Sequence, residues 1–231
     1  MTLYKHLFFD LDRTLWDFEK NAHETFNDIY NKYQLTDRGV TTFNDFMEVY
    51  HGINSTLWDY YRKGQIEKEV LNVQRFALTL DSFGIDDLPL SHHIAHDYIE
   101  LSPTKKHLFP GTVPVLEYLS GKYTLHLITN GFEEVQYKKL INSNLRHFFT
   151  HVITSEEAGY KKPDPNIFLY ALNVAGTVAA EALMIGDDQE VDIDGAREAG
   201  MDQVLVDYND KYVDSSATFR ITSLPALLQI L

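Results

Sequence analysis

KHLFFDLDRT, residues 5–14, is the stretch on which the fold turns: an apolar run that ends abruptly in two carboxylates flanking one leucine. A short continuous apolar run of this kind reads as a strand buried on both faces, as in a parallel sheet. Asp10 and Asp12 are two residues apart, so both side chains can point into one cleft while Leu11 points away. Beyond Trp16 the period changes. Ala22, Phe26, Ile29, Tyr30 and Tyr33 fall at helical spacing over 21–33. A second helix over 42–64 opens at Thr42, with Asp45 three residues on as a capping signal, and stops at Gly64. Two more helices are predicted, over 65–83 and from Pro89 to about 101. None of the four is interrupted by a strand pattern.

From Pro110-Gly111 onward, strands and helices alternate. A helix over 113–120 precedes the strand Thr124–Thr129. A helix from about Glu133 leads to the strand His151–Thr154. A helix after Pro165 leads to Ala182–Gly186, and a helix ending near Gly200 leads to a last clear strand over 203–206. Alternation at this spacing predicts an α/β fold with a doubly wound parallel sheet. An insert of roughly ninety residues is too long for a loop. The expected organisation is therefore an α/β core from 1–15 and 108–231, with a helical domain of residues 16–107 inserted after the first strand.

The 231 residues are 44% hydrophobic and 23% charged, the balance of a folded globular chain. There is no cysteine, which excludes disulfides, thiolate metal sites and cysteine nucleophiles. No signal-peptide pattern or membrane-spanning run is seen, so a cytoplasmic setting is expected. The net charge of −14 repels nucleic-acid polymers and anionic membranes. It would equally repel a small phosphate ester, so phosphate chemistry here needs local cations.

Ligands of open α/β sheets bind at the carboxyl ends of the strands. The predicted ends carry Asp10 and Asp12, then Thr129-Asn130-Gly131, then Lys161-Lys162-Pro163, then Gly186-Asp187-Asp188. Paired carboxylates can divide nucleophilic and acid–base roles where their environments differ. Asp187 adds a third oxygen donor for a hard cation such as magnesium. His92 and His96 share a helical face, but no third ligand lies near and a surface helix is the better reading. Glu190 and Asp194 suit a helix N-terminus, where acids favour the dipole; the role of Asp188 is left open.

Asp10-x-Asp12-x-Thr14, Thr129, Lys162-Pro163 and Gly186-Asp187-x4-Asp192, in that order, resemble the four motifs of the haloacid dehalogenase-like superfamily across essentially the whole chain. The helical insert resembles that superfamily's cap domain. The run from Phe8 to Ala22 looks more narrowly like its pyrimidine 5′-nucleotidases. The resemblance implies a magnesium-dependent phosphatase acting through an aspartyl-phosphate. It makes Asp10 the nucleophile and a metal ligand. It makes Asp12 the general acid/base, with its backbone carbonyl on the metal. Thr129 and the main chain of Asn130 and Gly131 would bind phosphate. Lys162, chosen over Lys161 because it precedes Pro163, would neutralise charge. Asp187 would ligate magnesium, and Asp192 would stand behind it.

The expected partner is a small phosphorylated metabolite, a nucleoside 5′-monophosphate first, with the chain a monomer or homodimer. Trp16 and Phe18 lie where the insert leaves the core. Hinge packing is their plain reading and stacking on a nucleobase their functional one. The cap is expected to close over the site as lids do. The alternatives are a sugar-phosphate or phosphoglycolate phosphatase, a phosphomutase, a 2-haloacid dehalogenase, and a non-enzymatic phosphate- or magnesium-binding module. A dehalogenase needs neither Asp12 nor a metal.

Overall fold

The computed structural model describes residues 4–231. The chain forms two compact units, residues 4–18 with 106–231, and residues 19–105. The first unit is built on six parallel strands in the order β3-β2-β1-β4-β5-β6. They are β1 His6–Phe9, β2 Thr124–Thr129, β3 His151–Thr154, β4 Ala182–Gly186, β5 Asp202–Val206 and β6 Phe219–Ile221. β6 escaped the sequence reading. Three residues are too few to show a period, and the strand exists because it pairs with β5.

Side chains alternate across this sheet as the pleat requires. Leu7, Phe9, Leu125, Leu127, Leu183, Ile185 and Val204 pack on one face. Phe8, Ile128, Met184 and Ala182 pack on the other. The first face is covered by α5 (Thr112–Ser120) and α6 (Glu133–Asn142), through Val115, Leu116, Leu119 and Leu140. The second is covered by α8 (Pro165–Ala175), which follows the single turn α7 (Ser155–Ala158), and by the short α9 (Gly195–Glu198). Burial on both faces explains why the strands read as continuous apolar runs.

The helix predicted to end near Gly200 is split: residues Gln189–Asp194 form a wide π-helical turn before α9. β1 lies between β2 and β4, so the chain reverses direction across the sheet beside it, and the crevice opens at its carboxyl end.

The second unit holds α1 (Phe18–Lys32, entering from the first unit), α2 (Phe43–Arg62), α3 (Lys68–Asp81) and α4 (Leu88–Leu101). Thr42 caps α2: its hydroxyl oxygen accepts the Asp45 N–H at 3.1 Å and donates to the Asp45 carboxylate at 2.8 Å. Such a cap is worth about 1 kcal/mol. The core is aromatic. Phe26 stacks on Tyr98 with ring centres 4.8 Å apart and tilts on Tyr50 at 4.3 Å. Phe76 stacks on Tyr50 at 5.6 Å.

The outgoing and returning chains are tied to each other inside the first unit. Trp16 bridges Leu108, and the Asp17 N–H donates to the His107 carbonyl at 3.0 Å. The division of the chain accordingly falls after Phe18 and before Lys106, leaving this paired stem with the sheet. Among the described residues no helix is long and apolar enough to cross a membrane.

Candidate active site

The carboxyl end of β1 sets the site. The Asp10 N–H donates to the Ile185 carbonyl of β4 at 2.9 Å, which continues the sheet by one residue and fixes the carboxylate at its edge. The chain then turns sharply. Arg13 has φ of +66°, and the N–H groups of Leu15 and Trp16 both reach the Leu11 carbonyl at 2.9 Å. A positive φ at a non-glycine residue is uncommon and marks a turn held by its surroundings. One holding contact comes from Tyr208, whose hydroxyl donates to the Thr14 carbonyl at 2.8 Å while its ring stacks on Phe109. Thr14 is thereby buried with its hydroxyl 3.2 Å from Asp10 Oδ2 and 3.1 Å from Asp187 Oδ1.

Lys162 crosses the site from the loop before α8. Its ammonium donates to Asp10 Oδ1 at 2.7 Å and to Asp192 Oδ1 at 2.6 Å, and the side chain is 2% exposed. Of the two adjacent lysines, Lys162 is the one that reaches Asp10 and Asp192. The loop is clamped by Asn130, whose side chain accepts the Lys162 N–H and donates to the Lys162 carbonyl, both at 2.8 Å. The Asn130 side chain therefore aims the lysine. Asp192 stands behind Gly186, where a methyl group would lie 2.3 Å from its Oδ2, so no larger residue fits. Asp188 accepts the N–H groups of Glu190 and Val191, which makes it the cap of the turn that carries Asp192.

Asp10, Asp187 and Asp192 each offer an oxygen within 4.8 Å of the others. Burial pushes the Asp10 carboxyl up to about 7; Lys162 opposes this, and Asp192 and Asp12 add to it. Burial and the charges of Asp10 and Asp192 push Asp187 well above the usual carboxylate range. Asp192 is raised by burial too, against the pull of Lys162. Burial works against the charge of Lys162, yet Asp10 and Asp192 together hold its proton more tightly than water would. Three crowded acids against one buried ammonium leave an excess of negative charge, and the donors are all hard oxygens. That set suits a divalent cation such as magnesium.

Asp12 has a different environment. Its carboxylate accepts from the Lys139 ammonium at 2.6 and 2.9 Å and from Gln136 Nε2 at 2.8 Å. Neither partner was picked out in the sequence. The signal was there as a glutamine and a lysine three apart on α6, on one helical face, but Lys138 and Lys139 are indistinguishable without knowing which way α6 is turned. Gln136 Nε2 also donates to Thr129 Oγ1 at 3.1 Å, which in turn accepts the Gly131 N–H at 3.0 Å.

Asp10, Lys162, Asp187 and Asp192 thus form one cluster, while Thr129 and Gly131 join Asp12 through Gln136. Of the two readings of Trp16, hinge packing is the one its surroundings fit. The residue is fully buried in the core of the first unit, with Lys139 Nζ 4.3 Å over its ring and Phe18 against it at 6.3 Å. An indole enclosed in this way packs the hinge and offers no face to a base. Phe18 is half-buried, with the Arg13 guanidinium 4.3 Å over its ring. His92, His93 and His96 lie exposed on α4.

Residues 7–206 match the family described as haloacid dehalogenase-like hydrolase. The chain is 31% identical to the pyrimidine 5′-nucleotidase YjjG of Escherichia coli, over 97% of this chain and 96% of that one. It is 30% identical to a glyceraldehyde 3-phosphate phosphatase of Methanopyrus kandleri, over 92% and 87% of the two chains. The solved structure of YfnB from Bacillus subtilis, bound to magnesium, superposes with a TM-score of 0.89 at 27% identity, covering 99% of each chain.

Proposed function

Because the chain belongs to the haloacid dehalogenase-like hydrolases, a family in which its relatives are named phosphatases and pyrimidine 5′-nucleotidases, we propose that it is a magnesium-dependent phosphatase of nucleoside 5′-monophosphates, working through an aspartyl-phosphate on Asp10. The observation that carries this reading is the contrast between the two carboxylates of the first loop. Asp10 is buried against Lys162, whereas Asp12 is half-buried and separately held by Lys139 and Gln136. Two carboxylates in unlike settings suit two roles. A dehalogenase has no use for the second.

In the first step the Asp10 carboxylate attacks phosphorus, the bond to the ester oxygen breaks, and the Asp12 carboxyl gives that oxygen its proton. In the second, water attacks phosphorus, Asp12 takes the water's proton, and the bond to Asp10 breaks. This releases phosphate and restores both side chains. Lys162 offsets charge on Asp10 throughout. Thr129 Oγ1 already accepts two N–H donors, so its own hydrogen is free to point at a phosphoryl oxygen. Asp10, Asp187 and the Asp12 carbonyl would hold magnesium, which when bound screens charge on the phosphoryl group.

A triose-phosphate substrate is the second reading, favoured by the relatives named for glyceraldehyde 3-phosphate. Phosphate release from pyrimidine and purine nucleoside monophosphates, glyceraldehyde 3-phosphate, a hexose phosphate and phosphoglycolate tests both. A higher kcat/KM on any non-nucleotide than on every nucleotide would refute the nucleotidase assignment. No release from any ester would refute the phosphatase.

A further inference from the structure

Lys139 and Gln136 touch Asp12 but belong to none of the motifs that define the site. Both sit on the inner face of α6, and both are buried, at 4% and 1% exposure. Lys139 places its ammonium between the Asp12 carboxylate, bridging both oxygens at 2.6 and 2.9 Å, and the face of Trp16 at 4.3 Å. Among the described residues its carboxylate partner is Asp12. Gln136 uses one amide nitrogen twice, toward Asp12 Oδ2 and toward Thr129 Oγ1. The space for that nitrogen exists because residue 131 is glycine: a methyl group there would lie 1.6 Å from it.

We propose that Lys139 and Gln136 are positioning residues: they hold the proton-transferring carboxylate of Asp12 in one orientation and link it to the phosphate-facing hydroxyl of Thr129. The inference rests on the reading of Asp12 as the acid and base of the two steps above. A short acidic side chain on a turn has several rotamers, and a proton-transfer group must lie within hydrogen-bond reach of the reacting oxygen. A misplacement of about 1 Å can cost roughly a hundredfold in rate. The two-pronged grip of Lys139 selects one rotamer. A carboxyl that carries the transferable proton on one oxygen still has lone pairs for both donors. Lys139 keeps all its own protons in both steps, and no atom passes through it. Gln136 fixes the distance between the leaving-group side of the site and the phosphoryl side by bonding to one residue of each.

The test is a leaving-group comparison on the full chain. Lys139→Met keeps the length of the side chain and its packing on Trp16 while removing the charge; Lys139→Arg keeps the charge. With a nucleoside monophosphate, whose alkoxide must be protonated to leave, Lys139→Met is expected to lower kcat/KM by roughly ten- to a hundredfold. With p-nitrophenyl phosphate, whose leaving group needs no proton, kcat/KM, which reports only the first step, should fall by no more than about twofold. Lys139→Arg should recover most of the nucleotide rate. In an Asp12→Asn background Lys139→Met should cost nothing more, since a residue acting only through Asp12 has nothing left to act on.

Equal losses of kcat/KM on both esters, or a further loss in the Asp12→Asn background, would overturn the inference. Should Lys139→Met fail to fold, Gln136→Leu carries the same comparison, and an unchanged ratio of the two rates there overturns it as well. Asp12→Asn separates the levels. If that variant shows no leaving-group dependence, the assignment of Asp12 itself fails. If it does and Lys139→Met does not, only the positioning role fails.

Discussion

Replacing His126 by leucine removes the central ring of a stack that crosses three strands. His126 on β2 lies between His6 on β1 and His151 on β3, with ring centres 5.3 Å away on either side, and it covers Phe8 at 4.7 Å. It is 1% exposed, its Nε2 is 3.0 Å from His6 Nδ1, and its Nδ1 has no partner among the described residues. Burial first, then the neighbouring imidazoles, push its pKa down from 6.5 to about 3. The unfolded chain therefore takes up a proton as pH falls through 6.5, and the folded chain does not until about 3. Stability from this residue is complete above 6.5 and is lost progressively between 6.5 and 3.

The slope is at most about 1.4 kcal/mol per pH unit, so roughly 2.5 kcal/mol disappears by about pH 4.5. That is a large part of a typical stability of about 5–15 kcal/mol. Urea midpoints measured between neutral pH and about pH 4.5 for the parent and His126→Leu give both slopes. The leucine variant should lose stability less steeply by about one proton's worth. Any constant packing cost of the substitution cancels in this comparison, as do the carboxylates common to both proteins. Identical slopes would refute the claim that the stack excludes a proton.

Asp10→Asn should abolish phosphate release while circular dichroism and melting stay near those of the parent, because Lys162 keeps Asp192 at 2.6 Å; substantial turnover in the folded variant would end the aspartyl-phosphate mechanism. Excess chelator should stop turnover and magnesium should restore it, with Asp187→Ala raising the magnesium concentration needed or eliminating activity; full activity in chelator would move the reading toward dehalogenase chemistry. Gly131→Ala should displace Gln136, which its methyl group would meet at 1.6 Å, and lower both stability, by about 1–3 kcal/mol, and turnover; unchanged kinetics and urea midpoint would show that the Gln136 bridge is dispensable.

Local chemistry carried much of this protein's description. Continuous apolar runs marked most of the strands and a period of 3.6 the helices of the insert, because burial on two faces or one face writes itself directly into residue order. The Thr42 cap was legible for the same reason, since both partners lie within one turn. The acids and hydroxyl at the strand ends were legible because a parallel sheet collects its strand ends at one edge.

What stayed hidden depended on rotations and pairings between distant segments. The strand order, and with it the three-residue run that becomes β6, follows from long-range pairing. Which of Lys161 and Lys162 enters the site was decided by the Asn130 clamp, 32 positions away in sequence. Which of Lys138 and Lys139 grips Asp12 was decided by how α6 lies on the sheet. Which of the two readings of Trp16 applies was decided by Lys139, remote in sequence, which lies over the ring. Sequence thus fixes each residue's chemistry and the period of its element. The facing of one side chain against another is set only when elements with no local reason to meet are packed together, because close packing leaves each helix one orientation on the sheet.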